Sequence, residues 1–407
     1  ERASRAPQSH NPQSPSTRTR AIGVLVLLWL AVVGSTQSRA ANVDLPILGD
    51  GSSRVVSPAM EAQIGRGFLK QIHSSLRTIN DPILKYYVEV QIAALAQHSE
   101  LREKVLQVVL IDSPQVNAFA APGGVVGINL GLFLYASDVH EYASVIAHEL
   151  AHLSQRHFAR GIEEQQAAML PNLAGMIAAI AIGMTAGGDA GIAAISASQS
   201  VAQSNYLRYS RSRETEADRI GLNTLVNADL DPDGMRRMFE SMNRAYRFSS
   251  KPPEFLLTHP LSETRIADAR TQALQYPKKD YPDSPDYALM RTRAIIHYAA
   301  SPEAAVATYE KAVKDNPESK TAQYGLALAL SRAKQHTDAI AIADILFTEA
   351  PDRLLFVSAY AELLTAAGKY DQAQGLLEKY LLLYPDNPPL SMLYADNLTH
   401  SGQYPMA

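Results

Sequence analysis

His148-Glu149-Leu150-Ala151-His152 is the stretch from which the rest of the chain can be read. On a helix, residues four apart share a face, so both imidazoles reach one tetrahedral metal while Glu149 stands beside the open fourth position. A zinc ion held this way lowers the pKa of water toward neutrality and polarises a carbonyl. The neighbouring carboxylate then serves as general base and returns the proton to a leaving amine. The stretch is therefore suited to metal-assisted hydrolysis of a peptide bond. Its surroundings predict the helix independently: Val139, Ala143, Ile146, Ala147, Leu150 and Leu153 recur at helical spacing, and Asp138 with Glu141 forms a capping box. The expected helix runs from about residue 138 to 157.

Upstream of it the pattern changes to that of a small sheet. Residues 105–111 are β-rich, and 117–121 and 125–129 read as short strands joined by Pro122-Gly123-Gly124, a turn whose positive φ glycine supplies. An edge strand here has two readings, a pairing surface for an extended substrate backbone or a purely structural hairpin. Before the sheet, 57–79 and 81–101 carry helical apolar spacing and read as scaffold.

The composition narrows the chemistry. With 407 residues the chain has room for more than one domain, and with no cysteine it excludes thiolate metal sites, cysteine nucleophiles and disulfides. Any metal must be held by histidines and carboxylates. A formal charge of −4 without a basic, aromatic-rich patch gives no reason to expect nucleic acid. At the N-terminus, Arg18 and Arg20 precede an apolar run from Ala21 to Gly34, and Ser38-Arg39-Ala40 follows with small residues at a cleavage-type spacing. Residues 1–40 are expected to be a signal peptide and the segment before it, with an uncleaved N-terminal anchor as the alternative.

Downstream, residues 169–205 turn rich in Ala, Gly, Ile and Met and read as an inserted apolar helical hairpin. It is too short for a full membrane span, which leaves peripheral contact with a membrane, a lid over the cleft, or plain core. The next carboxylates come in Ser210-Arg211-Ser212-Arg213-Glu214-Thr215-Glu216-Ala217-Asp218. Glu214 and Asp218 share a helix face, which suits one zinc carboxylate and one carboxylate that accepts the free ring N–H of a ligand histidine. Glu216 is expected to face away.

Together, His148-Glu-Leu-Ala-His152, the Glu214-x-x-x-Asp218 pair and Asn117-Ala-Phe-Ala-x-Pro-Gly-Gly resemble the HtpX and CaaX-prenyl-protease family of gluzincin metallopeptidases over roughly residues 60–275. The resemblance implies that His148, His152 and Glu214 bind one Zn2+ per chain, that Glu149 is the general base, and that Asp218 orients a ligand histidine. The family carries a similar His-Pro followed by Arg, here His259-Pro260 and Arg265. By that likeness His259 donates to the oxyanion and Arg265 fixes a nearby carboxylate or loop; an imidazole in this loop could instead reach the fourth metal position as a plug, or merely end the loop before the next helix.

From about Asp286 the chain repeats. Ala305, Ala339, Ala373 and Ala407 fall at intervals of 34, as do Pro317, Pro351 and Pro385. This is the tetratricopeptide period, with small residues at helix contacts and proline closing each unit. The last unit stops where its second helix should begin, so the array is expected to be truncated at the C-terminus. Lying outside every motif, the repeats are predicted to be removable without loss of the metal site, and they either offer a concave groove to partners or serve as scaffold.

The expected fold class is mostly α with a small β-sheet, a gluzincin-type metallopeptidase domain over 41–285 followed by a tetratricopeptide solenoid over 286–407. Leader, peptidase and repeats in this order resemble Gram-negative periplasmic proteases of outer-membrane protein quality control. That implies misfolded or stalled outer-membrane proteins as substrates and the barrel-assembly machinery as a partner of the repeats. The alternative is a repeat-based chaperone or adaptor whose peptidase site is silent or self-inhibited.

Overall fold

The computed structural model describes residues 56–102, 105, 107–165, 211–247 and 253–403; the expected leader at 1–40 and apolar hairpin at 169–205 lie outside these residues. Two capped helices come first. Ser57 caps α1 (Pro58–Ser75) by accepting from the Met60 N–H, and Asp81 caps α2 (Pro82–Gln97) by accepting from Ile83 and Leu84. Helix α1 ends earlier than its apolar spacing predicts because the backbone of the following residues is taken by the sheet. Ile79 N–H donates to the Leu110 carbonyl and Asp112 N–H to that of Arg77, both at 2.9 Å.

The sheet has three strands, β1 (Gln107–Ile111), β2 (Ala118–Ala121) and β3 (Val125–Asn129), with β3 in the middle, parallel to β1 and antiparallel to β2. The β2–β3 turn places Gly123 and Gly124 at φ 76° and 78°, the conformation their sequence implied. The Asn129 N–H donates to the Asn117 carbonyl at 3.0 Å. With that register, Phe119 and Ala121 turn their backbone groups to β3, and Ala118 and Ala120 turn theirs to the outer edge.

After the short α3 (Leu132–Tyr135) comes the central helix α4 (Val139–Ser154), buried from Val139 to His152. Asp138 accepts from the N–H groups of His140 and Glu141 at 2.9 Å, and Glu141 reaches back to the Ser137 N–H at 2.8 Å. The capping box is formed, displaced by one residue at its return bond. The helix does not reach residue 157. Arg156 adopts φ 48°, its guanidinium held by Glu61 and the Val56 carbonyl, and a separate helix, α5 (His157–Gln165), starts after this break.

Helices α6 (Arg211–Asn227), α7 (Asp233–Arg247), α8 (Glu254–Thr258) and α9 (Glu263–Ala273) complete the peptidase part. Helix α6 lies very close to α4 because Gly221 has no side chain at the crossing: a Cβ there would stand 3.0 Å from the His148 nitrogen and 3.1 Å from the Ala147 carbonyl carbon. No helix among the described residues is long and apolar enough to cross a membrane.

The repeats follow as the pairs α10 (Pro285–His297) with α11 (Pro302–Asp315), α12 (Lys320–Arg332) with α13 (His336–Glu349), and α14 (Leu354–Ala366) with α15 (Tyr370–Leu383), then α16 (Pro388–His400). They are not a free-standing appendage. Tyr287 packs against Phe133 and Tyr142, with ring centroids 5.6 and 5.4 Å away, and its hydroxyl donates to the Ala136 carbonyl. Asp112 accepts from His297 and Tyr298 at 2.8 and 3.0 Å. Buried Arg293 donates to Asp81 at 2.6 Å, to the Tyr324 hydroxyl at 2.9 Å and to Glu362 at 2.8 Å, joining α2 to three repeat helices, and α16 packs on α2 as well. One hydrophobic core runs through both parts, and the described residues form one compact unit.

This bears on two expectations. Helices α10 and α16 pack on α2 of the peptidase part, and Arg293 links α12 and α14 to its cap Asp81, so the repeats serve here as scaffold as well as a surface for partners. Removing the repeats would also uncover a shared core. Arg293→Ala should destabilise the protein by about 3 kcal/mol, the low end for breaking a buried ion pair, since Asp81 and Glu362 keep some solvent. Chemical unfolding followed by fluorescence and circular dichroism should show one transition at a lower midpoint; two separate transitions in the unmodified protein would refute the shared core.

Candidate metal centre

Four donor atoms converge from three places in the chain. Helix α4 supplies His148 and His152, α6 supplies Glu214 from its first turn, and the residue that ends α8 supplies His259; all four are buried. His148 Nε2 lies 3.0 Å from His152 Nε2, 3.3 Å from His259 Nδ1 and 3.6 Å from Glu214 Oε2. Glu214 Oε1 is 3.5 Å from His152 Nε2 and 3.3 Å from His259 Nδ1. A tetrahedron with metal bonds of about 2.0–2.1 Å has edges of about 3.3 Å. The donor set and its spacing therefore fit a four-coordinate metal of the nitrogen- and oxygen-binding kind.

The electrostatics point the same way. Burial pushes the Glu214 carboxyl up, but His259, His148 and His152 outweigh this and hold it well below the usual range. Burial opposes charge on His148, yet Asp218 and Glu214 prevail and raise it to about 9. Burial and the neighbouring His148 hold His152 well below the usual imidazole range, so the cluster favours one positive centre and not two, a demand that a single bound cation meets.

The supporting carboxylate and arginine lie one layer out. Asp218 Oδ1 is 3.0 Å from His148 Nδ1. Arg265 grips Asp218 with two bonds of 2.7 Å, donates to the Pro260 carbonyl at 2.9 Å and stands 3.0 Å from Glu214. A planar guanidinium can hold this fork-shaped arrangement. Arg265 thus touches the carboxylates and the His259 loop, and its guanidinium stacks over Phe239.

Glu149 is buried beside the cluster. Burial raises its carboxyl, opposed by His259 and His148 and by a hydrogen bond from the Ala120 backbone. That bond joins Glu149 of α4 to the outer edge of β2. Glu149 Oε1 is also 3.5 Å from His259 Nε2. His259 therefore directs one ring nitrogen to the other three donor groups and the other to Glu149. Its loop is fixed by Phe255, whose ring stacks on His259 at 4.7 Å and whose N–H donates to the Val116 carbonyl. Glu254 accepts from Asn129, and burial pushes its carboxyl up to about 7.

The sequence reading missed His157 and misplaced Glu216. His157 Nδ1 is 2.9 Å from His152 Nδ1, and its Nε2 is 3.1 Å from Glu216, which also pairs with Arg160. Glu216 does not face away. Burial lowers the His157 pKa to about 4 despite Glu216, keeping the ring neutral. The available signal was a second histidine five residues after His152, but only a helix break makes that spacing useful.

The pattern of Peptidase family M48 matches residues 82–273, and tetratricopeptide repeat patterns match 298–353 and 364–407. The Escherichia coli beta-barrel assembly-enhancing protease is 31% identical over 361 residues, covering 88% of this chain and 74% of that protein. Its Yersinia pestis counterpart is 31% identical over 368 residues, covering 89% and 75%. A Vibrio cholerae protein provisionally given the same name is 35% identical over 324 residues, covering 79% and 67%.

Proposed function

Because this chain belongs to peptidase family M48, among the beta-barrel assembly-enhancing proteases, we propose that it is a periplasmic zinc-dependent endopeptidase acting on misfolded or stalled outer-membrane β-barrel proteins. The observation that carries this reading is the tetrahedral convergence of His148, His152, Glu214 and His259 beside buried Glu149. The leader-like sequence at 1–40 and the names of the relatives support the compartment and the substrate class.

In this reading His148, His152 and Glu214 hold zinc, and Asp218 with Arg265 keeps His148 oriented. Bound zinc supplies Lewis acidity, lowering the pKa of water and polarising the scissile carbonyl. Glu149 takes the proton of the attacking water and delivers it to the leaving amine, its raised pKa suiting a group that must do both. The outward backbone groups of β2 run beside Glu149, and an extended substrate segment pairs there as an added strand, which favours unfolded clients over folded ones. The repeats serve partners through surfaces other than the side that holds α2, with the barrel-assembly machinery as the partner class.

His259 is the fourth ligand of a resting state and blocks both the metal and Glu149. The same contact supports the second reading, a chaperone or adaptor whose peptidase is self-inhibited. Purified protein should contain about one zinc per chain and cleave casein in a chelator-sensitive manner, and Glu214→Ala should lose the metal. Absence of bound metal from the folded, unmodified protein would overturn the assignment.

A further inference from the structure

The two histidines of α4 are held from behind by different means. His148 meets the carboxylate of Asp218 directly, whereas His152 meets a second imidazole, that of His157, at 2.9 Å between their Nδ1 atoms. His157 is completely buried and is held in turn by Glu216 at 3.1 Å, which Arg160 grips through both oxygens at 3.0 and 3.2 Å.

A helix of 3.6 residues per turn would carry residue 157 about 140° around from His152, away from its imidazole. The break at Arg156 prevents this. Its positive φ is uncommon for a residue with a side chain, and the contacts to Glu61 and Val56 hold it there. The break brings His157 under His152.

Proton counting then fixes the direction of each hydrogen bond. A metal-binding Nε2 on His152 must present a lone pair, so the one proton of that neutral ring sits on Nδ1. His157 Nδ1 must therefore accept, which leaves its own proton on Nε2, pointed at Glu216. Two neutral rings supply two protons for two bonds, ending on a carboxylate that can only accept.

We propose that His157, oriented by Glu216 and Arg160, is a positioning residue that locks His152 in its metal-binding tautomer by accepting the Nδ1 proton. The inference rests on the proposed zinc site. Outer partners of this kind set ligand orientation and basicity, and losing one typically costs 10–100-fold in metal affinity. The arrangement differs from the Asp218 contact in one respect: an imidazole can present either a donor or an acceptor, and Glu216 is what selects the acceptor.

The test uses the full chain and zinc, with affinity measured by competition against a chromophoric chelator. His157→Phe should fill the space but weaken zinc binding by about 10–100-fold. His157→Asn, which can place an amide oxygen where Nδ1 stood, should recover most of that loss. Long-range 1H–15N spectra of the unmodified zinc-bound protein should show protonated His152 Nδ1 and protonated His157 Nε2. A proton on His157 Nδ1, or zinc affinity of a folded His157→Phe within twofold of the unmodified protein, would overturn the proposal. The spectra decide alone if the Phe variant does not fold. Failure of the unmodified protein to bind zinc would instead strike the metal assignment on which the inference rests.

Discussion

Glu149→Gln is expected to reduce peptide cleavage by about 10²–10⁴-fold while the protein stays folded and keeps its metal. The side chain is not among the four converging donor atoms, so its amide replacement leaves the ligand set untouched. The exchange is close in volume and keeps the carbonyl oxygen that can accept from Ala120, so the packing between α4 and β2 should survive. What disappears is the capacity to take a proton from water and return it to the amine. The measurement is cleavage of an unfolded substrate at matched zinc content. Activity within a few-fold of the unmodified enzyme would remove Glu149 from the role of general base.

Much of the architecture was legible because local chemistry and fold agree there. The central helix announced itself by apolar spacing and by Asp138 and Glu141, which do cap it. The β2–β3 turn followed from Gly123 and Gly124, and the 34-residue period located the repeat helices. The convergence of Glu214 with the α4 histidines was accessible as a shared helix face. Where the sequence misled, contacts distant in the chain decided the outcome. The end of α4 depends on Arg156 finding Glu61, 95 residues earlier. The place of Glu216 depends on that break, because without it His157 would point elsewhere. The repeats looked separable because their period is self-contained, yet Arg293 carries a charge that only Asp81 and Glu362 together explain. A period in sequence reports how helices stack on one another and says nothing of what else they stack against.

His259→Ala is expected to raise basal cleavage by on the order of tenfold or more at equal zinc content, since turnover scales with the fraction of molecules in the open arrangement. The direction follows from where the ring lies. His259 Nδ1 is within 3.3 Å of both His148 and Glu214, inside the donor set, and its Nε2 is 3.5 Å from Glu149. With a metal held by His148, His152 and Glu214, this one side chain would fill the remaining position and would also stand against Glu149, so its removal would free both together. An oxyanion donor would instead stand at hydrogen-bonding distance from the substrate oxygen and outside the ligand set. Among the contacts that hold the loop carrying His259 are the Phe255 backbone bond to Val116, the Glu254 bond to Asn129 and the Arg265 bond to the Pro260 carbonyl. The loop's departure would have to release the Arg265 bond to the Pro260 carbonyl, while the two Arg265 bonds to Asp218 on α6 can stay in place. A fall of about 10²–10³-fold would assign His259 to the oxyanion, and an unchanged rate would leave it a loop residue without a part in either state. Because the three remaining ligands still define the metal site, the variant separates restraint from catalysis in a way that no ligand substitution can.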